Sequence, residues 1–300
     1  MKKFSTISKV SFLLIFLSSV FYYSCSKDRI QKKSMNQYNS PNSYLDSKKQ
    51  QEQIDTVNGP GSGPIVGNQG TKIWIGKECL MFPNGDSVTW PFTVKLVELY
   101  KPKDMIYYQM PTVASASGIL KTDGEIRLRA FKNGTELLLK PNPCMAQIEM
   151  PCAAPQSGMH VFYGFTTNNL PDWADSPLTL FSTNPASYTA SITKLGWINC
   201  GLLAGSSTNS TLSFTSTTDD LTNVAFFIYF PSTKSVMQAY NATSGPIPNG
   251  SAVKIISIAV DGSGQLYYFY QTQTVNASAS VDVVMTAISD ASLTTLLDGL

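Results

Sequence analysis

The chain has 300 residues, 43% hydrophobic and 14% charged, with 22 Lys and Arg against 20 Asp and Glu. That length accommodates two domains, and the near-neutral balance gives no electrostatic footprint for phosphate, which excludes nucleic acid as a partner. A single histidine excludes a His-rich zinc site and an HExxH helix.

Residues 1–24 read as an export leader. Lys2, Lys3 and Lys9 stand without an acid, and Val10 to Tyr23, VSFLLIFLSSVFYY, then runs fourteen residues without a charge. A membrane-spanning helix needs about 20 such residues, whereas this length suits the apolar region of a signal peptide. Ser24 then precedes Cys25. The arrangement resembles the lipobox of bacterial lipoproteins, with Tyr22 and Tyr23 where the pattern has Leu and a small residue. The resemblance implies acylation of Cys25 and an outer-membrane anchor on the periplasmic or cell-surface side. Conventional cleavage, releasing a soluble chain, is the alternative.

Setting Cys25 aside leaves four thiols, Cys79, Cys144, Cys152 and Cys200, an even set that reads as disulfide candidates in an exported chain. Cys144 and Cys152 flank MAQIEM, which reads as a strand and holds their ends ~26 Å apart. A disulfide needs Cα atoms within about 7 Å. Cys79 or Cys200 is therefore the preferred partner for either of them, with the role of small buried hydrophobe as the alternative for some of the four.

Residues 25–65 read as a flexible tether. The stretch is rich in Ser, Asn, Gln and Lys, nearly empty of large aliphatics, and ends in NGPGSGP. Such a composition buries too little apolar surface to offset the entropy of ordering it, and about 40 flexible residues span ~35 Å. Asp55-Thr56-Val57 and Asp86-Ser87-Val88 resemble the Asp-Ser/Thr-aliphatic acceptor for O-glycosylation in exported Bacteroidetes-type proteins, which marks Thr56 and Ser87.

From Thr71 onward alternation and turn signals predict an all-β body of two antiparallel β-sandwich domains with a short C-terminal helix. KIWIG, SVTWPFTVKLVELY, EIRLRAF, ELLLK and AQIEM are short strand runs, separated by Asn84-Gly85, Thr122-Asp123-Gly124 and Asn133-Gly134. Glu125 to Ala130 alternates, one face wet and the other buried. These stretches, with IGKECLMFPNGDSVTWPFTVKLVELYKPKDM before them and IEMP after, resemble the ZU5-type β-sandwich of surface and scaffold proteins. They also resemble a group of bacterial lipoproteins in which a strand like GWINC follows, as at 196–200 here. The resemblance implies a sandwich over 66–152 and a scaffold or surface role. The self-cleavage of some ZU5-like modules is not implied, since His160 has no serine two residues on.

Residues 153–200 read as connecting strands and loops, with NLPDWADSP a Pro/Asp-rich loop. The runs STLSFTS, VAFFIYF, VKIISIAV, QLYYFYQTQTV and SVDVVMTAI predict a second sandwich over 201–300. Asp261-Gly262-Ser263-Gly264 reads as a hairpin turn. Ser289 or Asp290 caps a helix whose Leu293, Leu296, Leu297 and Leu300 share a face.

Catalytic patterns are missing from the sequence: no G-x-S-x-G, no phosphate loop and no G-x-G-x-x-G. His160 lies in a strand run, and Asp172/Asp175 and Asp219/Asp220 lack the density of a calcium loop. The sequence therefore predicts a non-enzymatic protein without cofactor or metal, whose partners are the membrane and an envelope protein or glycan; the alternatives are a glycan-binding module and, behind it, a glycan hydrolase using a carboxylate pair. If a glycan binds, Trp173, in its Pro/Asp loop, and Tyr268 and Tyr270, on one face of a strand, are the candidate stacking rings.

Overall fold

A computed structural model of the protein describes residues 34–114, 118–205 and 208–300, so the leader and Cys25 lie outside the described residues. In chain order the first elements are α1 (Asn42–Lys48), β1 (Gln53–Val57), β2 (Lys72–Trp74), β3 (Phe92–Leu99), α2 (Pro102–Tyr108) and β4 (Gly118–Lys132). Then come β5 (Ala146–Pro151), β6 (His160–Thr167), β7 (Leu170–Leu180), β8 (Ser187–Ile192) and β9 (Gly196–Leu203). The C-terminal third holds β10 (Leu212–Thr215), β11 (Ala225–Phe230), β12 (Ser235–Ala239), β13 (Ser251–Val260), β14 (Leu266–Val275), β15 (Ala279–Asp282), β16 (Thr286–Ile288) and α3 (Asp290–Asp298). The protein is all-β with antiparallel sheets and a short C-terminal helix. Among the described residues no helix is long and apolar enough to cross a membrane.

A central sheet, in the order β1-β3-β4-β9-β6-β7, separates two apolar cores. On one face Val94, Leu96, Ile126, Leu128, Val161 and Ile198 meet a second sheet through Ile73, Ile148, Met150, Tyr188 and Ile192. On the other face Val97, Leu99, Leu120 and Phe162 meet the helices and a third sheet of order β12-β11-β13-β14-β16. That third sheet is covered on its far side by β10 and β15, which pair in parallel. Buried on both faces, β11 reads AFFIYF without alternation: Phe226 and Ile228 enter one core, Phe227 and Tyr229 the other. Ser289 caps α3 by accepting from the Ser292 N–H, and Leu293 and Leu297 are buried. The turn at Asn133-Gly134 has positive φ at both residues, +51° and +81°, and joins Lys132 to its register partner Thr135.

Several sequence expectations need correction. Residues Asn36–Leu300 form one compact unit. The stretch predicted as connecting strands and loops, 153–200, supplies β6, β7 and β9 of the central sheet and β8 of the facing sheet. The C-terminal sheet closes its own core against β10 and β15 on one face and shares a second core with that central sheet on the other. Within the predicted tether, 36–57 is ordered by pairing and burial. Asn36 and Asn39 donate backbone bonds to Thr218 and Val260 at 2.8 and 2.7 Å, and β1 pairs with β3 from Gln53↔Leu96 to Val57↔Phe92. Tyr38, Leu45 and Val57 are buried. Few apolar residues are needed when each is received by a core already built, and polar side chains such as Gln53, which donates to Val66 O at 2.8 Å, serve neighbouring backbone.

Two further corrections concern strands. Thr122-Asp123-Gly124 is not a turn but a bulge inside β4: Asn199 pairs with Glu125 and Gly201 with Thr122, so an extra residue stands opposite Cys200. Gly124 takes φ +137°, and a Cβ there would lie 2.3 Å from the Tyr100 ring. The loop predicted at 169–177 is most of β7. That strand is the last in its sheet, where a proline such as Pro171 leaves no ladder bond broken.

Candidate functional site

A cavity of about 640 Å³ opens where the segment before β4, the β6–β7 turn, the edge strand β12 and the 245–246 loop meet. Its size lies within the range of about 300–1,000 Å³ usual for small-ligand sites. The β6–β7 turn is made by Asn168 and Asn169, with φ of +51° and +64°, which bring Thr167 opposite Leu170. Asparagine tolerates this left-handed geometry better than other side chains.

Trp173 fixes that turn to the next wall. It is 3% exposed, pairs with Gly164, and its Nε1 donates to Pro111 O at 2.7 Å. Gly164 makes room for it: a Cβ at that position would stand 2.6 Å from Trp197 Cβ and 3.1 Å from the Trp173 ring. Thr112 performs the matching task toward the third sheet. Its N–H donates to Val236 O and its Oγ1 accepts from the Val236 N–H, each at 2.8 Å. Two sheets are thereby tied to one short segment, and the cleft between them has fixed walls.

Val113, Leu170, Pro171, Met237 and Pro246 make the apolar wall, and Thr167, Asn168, Asn209, Gln238 and Tyr240 bring hydroxyl and amide groups. Among the described residues Asp172 is the one carboxylate in the lining, and none there is a lysine, arginine, histidine, serine or cysteine. The Tyr240 hydroxyl donates to Gln238 Oε1 at 3.2 Å, and burial pushes its phenol up to about 12, so it stays protonated at physiological pH. Such a lining can hold a neutral, hydroxyl-bearing ligand with an apolar face. Among the described residues it has no nucleophile–base pair of the kind that acyl or glycosyl transfer uses.

The structure moves the predicted stacking residues. Trp173 is core, not platform, because its loop is a strand and its ring packs behind the cleft. Tyr268 and Tyr270 do share a face of β14, yet Tyr268 packs against the core beneath the third sheet, leaving only Tyr270 open, at 38% exposure. Neither lines the cleft. Thr56 and Ser87 are both exposed, but Thr56 stands on the edge strand β1 instead of a linker. Cys79 and Cys144 form a disulfide with Cα atoms 5.0 Å apart, while Cys152 and Cys200 are free thiols.

The carboxylates and the histidine have local partners. His160 Nδ1 lies 3.2 Å from Asp175 Oδ1, and Asp220 accepts from the Thr222 N–H at the start of a single 3₁₀ turn. Asp219 accepts from the Tyr38 hydroxyl at 2.6 Å and from the Met285 N–H at 3.2 Å. Among the described residues no cluster of three His, Cys, Asp or Glu is arranged to hold a metal ion. The cleft residues Asn168, Gln238 and Tyr240 escaped the sequence reading. Only the Asn-Asn pair between two strand runs carried a signal, as a turn. Comparison of the chain with family models, with curated proteins and with solved structures found no match.

Proposed function

We propose that this is a non-catalytic binding or scaffolding protein of the bacterial envelope, held at the outer membrane by acylation of Cys25, with its ligand site in the cleft beside Tyr240. The single observation that carries the ligand site is the cleft's lining: apolar on one side, amide and hydroxyl on the other, with no cation among the described residues. The basic start, the short apolar run and Cys25 support the envelope address. Cys25 precedes Asn36, the first residue of the compact unit, by eleven positions. Eleven residues reach at most ~40 Å, so on this reading the body works close to the membrane.

A glycan ligand is the reading the lining favours within this proposal, since neutral sugars present hydroxyls on one edge and C–H surfaces on a face. Its stacking partner would be Tyr240 instead of Trp173. The ZU5-like sandwich would then be the frame that carries the cleft. An array of neutral glycans, probed with the mature chain and with a Tyr240→Ala, Gln238→Ala double variant, tests this. Binding that falls at least tenfold in the variant supports it. Silence on the array, with no shift of the thermal midpoint by neutral oligosaccharides, returns the scaffold role alone. Acyl labelling that survives Cys25→Ala would overturn the anchor.

A further inference from the structure

Each sheet of the sandwich directs one free thiol into the same core. On β5, Ile148 and Met150 point inward and are buried, and Cys152 follows in the same parity, its N–H donating to Ala186 O at 3.0 Å. On β9, Ile198 and Cys200 point inward, and Cys200 is fully buried. Both belong to the core between the two sheets.

The β4 bulge brings them to one level. Cys200 stands between Asn199 and Gly201, which pair with Glu125 and Thr122, so it faces Asp123 and Gly124; its carbonyl lies 3.4 Å from Thr122 Oγ1. Gly124 in turn reaches the facing sheet, where a Cβ would meet Met150 Cε at 3.5 Å, two residues before Cys152. A cavity of about 310 Å³ opens at this point, lined by Tyr100, Asp123, Gly124, Lys234 and Cys152. Burial first, then the charges of Asp123 and Cys152, push the Cys200 thiol up, and Tyr100, raised mainly by burial, senses both sulfurs. The two thiols share one neighbourhood, with Cys152 half-buried and Cys200 closed off.

We propose that Cys152 and Cys200 are the dithiol of an inter-sheet disulfide, formed by exchange with an oxidised dithiol protein or a small disulfide that reaches Cys152 through this cavity. The half-exposed Cys152 thiolate attacks one sulfur of the external disulfide. The other external sulfur leaves as a thiol, taking up the proton Cys152 released. Cys200 then attacks Cys152 in the mixed disulfide, and the second external sulfur departs with the Cys200 proton. One external S–S bond is reduced to two thiols while one protein S–S bond forms. The bond would close beside Asp123, whose side chain is 2% exposed and accepts from Tyr188 and from Lys234 of the β11–β12 turn, both at 2.7 Å. It would therefore clamp the point where the sandwich is tied to the third sheet.

The test is a peptide map of the mature chain, equilibrated with glutathione disulfide, alkylated and digested with trypsin without reduction. Cys79, the Cys144/Cys152 pair and Cys200 fall on the fragments 78–95, 133–194 and 195–234. All three should migrate as one cross-linked species, and cyanogen bromide cleavage at Met145 and Met150 should leave 195–234 attached to the piece holding Cys152. The same link should persist in the Cys79→Ser, Cys144→Ser variant, and oxidation should raise the thermal midpoint by roughly ten degrees. Recovery of 195–234 alone, alkylated at Cys200, would overturn the proposal, as would its attachment to Cys144.

Discussion

Replacing Glu125 by Gln should turn a falling stability profile into a flat one. Glu125 is fully buried on the helix-facing side of β4; Oε1 accepts one bond from Asn199 Nδ2 at 3.0 Å, and Oε2 makes none among the described residues. Desolvation pushes its carboxyl well above the ordinary 4.5, and the Asn199 bond pulls it back only in part. The unfolded chain releases this proton near 4.5 while the folded chain keeps it. The stabilisation is therefore complete below the unfolded value and is lost as pH rises toward the folded one. The slope is at most about 1.4 kcal/mol per pH unit, so the site costs up to ~2.7 kcal/mol between pH 5 and 7. Gln keeps the Oε1 acceptor and cannot titrate. Urea melts of both proteins at pH 5, 6, 7 and 8 should show near-equal stability at pH 5 and a variant that gains with each unit above it. Two parallel profiles would refute the reasoning, since they would mean that Glu125 ionises in the folded state as easily as in water.

The remaining predictions concern the frame around the site. Tyr38→Phe removes a buried hydroxyl donating to Asp219 and should cost about 1.5–3 kcal/mol, with faster proteolytic clipping before Asn42. Gly164→Ala forces a Cβ into contact with Trp197 and Trp173; a loss of about 1–3 kcal/mol and a changed near-ultraviolet tryptophan signal are expected. The Cys79→Ser, Cys144→Ser double variant opens a loop spanning 65 residues, which the chain-entropy relation values at about 4 kcal/mol. Calorimetry should show a correspondingly lower midpoint.

Glu98 and Glu125 show why burial of charge was illegible. Glu98 is 4% exposed, and its two oxygens accept backbone N–H bonds from Thr71 and Gln69 at 2.9 and 2.7 Å. Those donors come from a segment 27 and 29 residues away in sequence. Glu125 sits at the head of EIRLRA, whose alternation holds for Arg127 and Arg129, half-exposed beside Glu52 at 2.9 and 2.6 Å. The same face is open at Arg129 and closed at Glu125 because α2 and the third sheet cover one end of β4. Local periodicity reports the pleat, and it cannot report which stretch of a face another element will cover.

What the sequence determined unaided was a set of features fixed within a few residues. The strand runs, the Asn133-Gly134 and Asp261–Gly264 turns and the Ser289-capped helix follow from φ/ψ preference, period-two patterning and capping, all of which act locally. Tertiary structure decided the features that depend on distant partners. It pinned 36–57 of the expected tether, turned the Trp173 loop into an edge strand, and assembled a cleft from 111–114, 167–172, 209 and 237–246. A side chain's surroundings are the sum of contacts from remote segments, and no short window of sequence contains them.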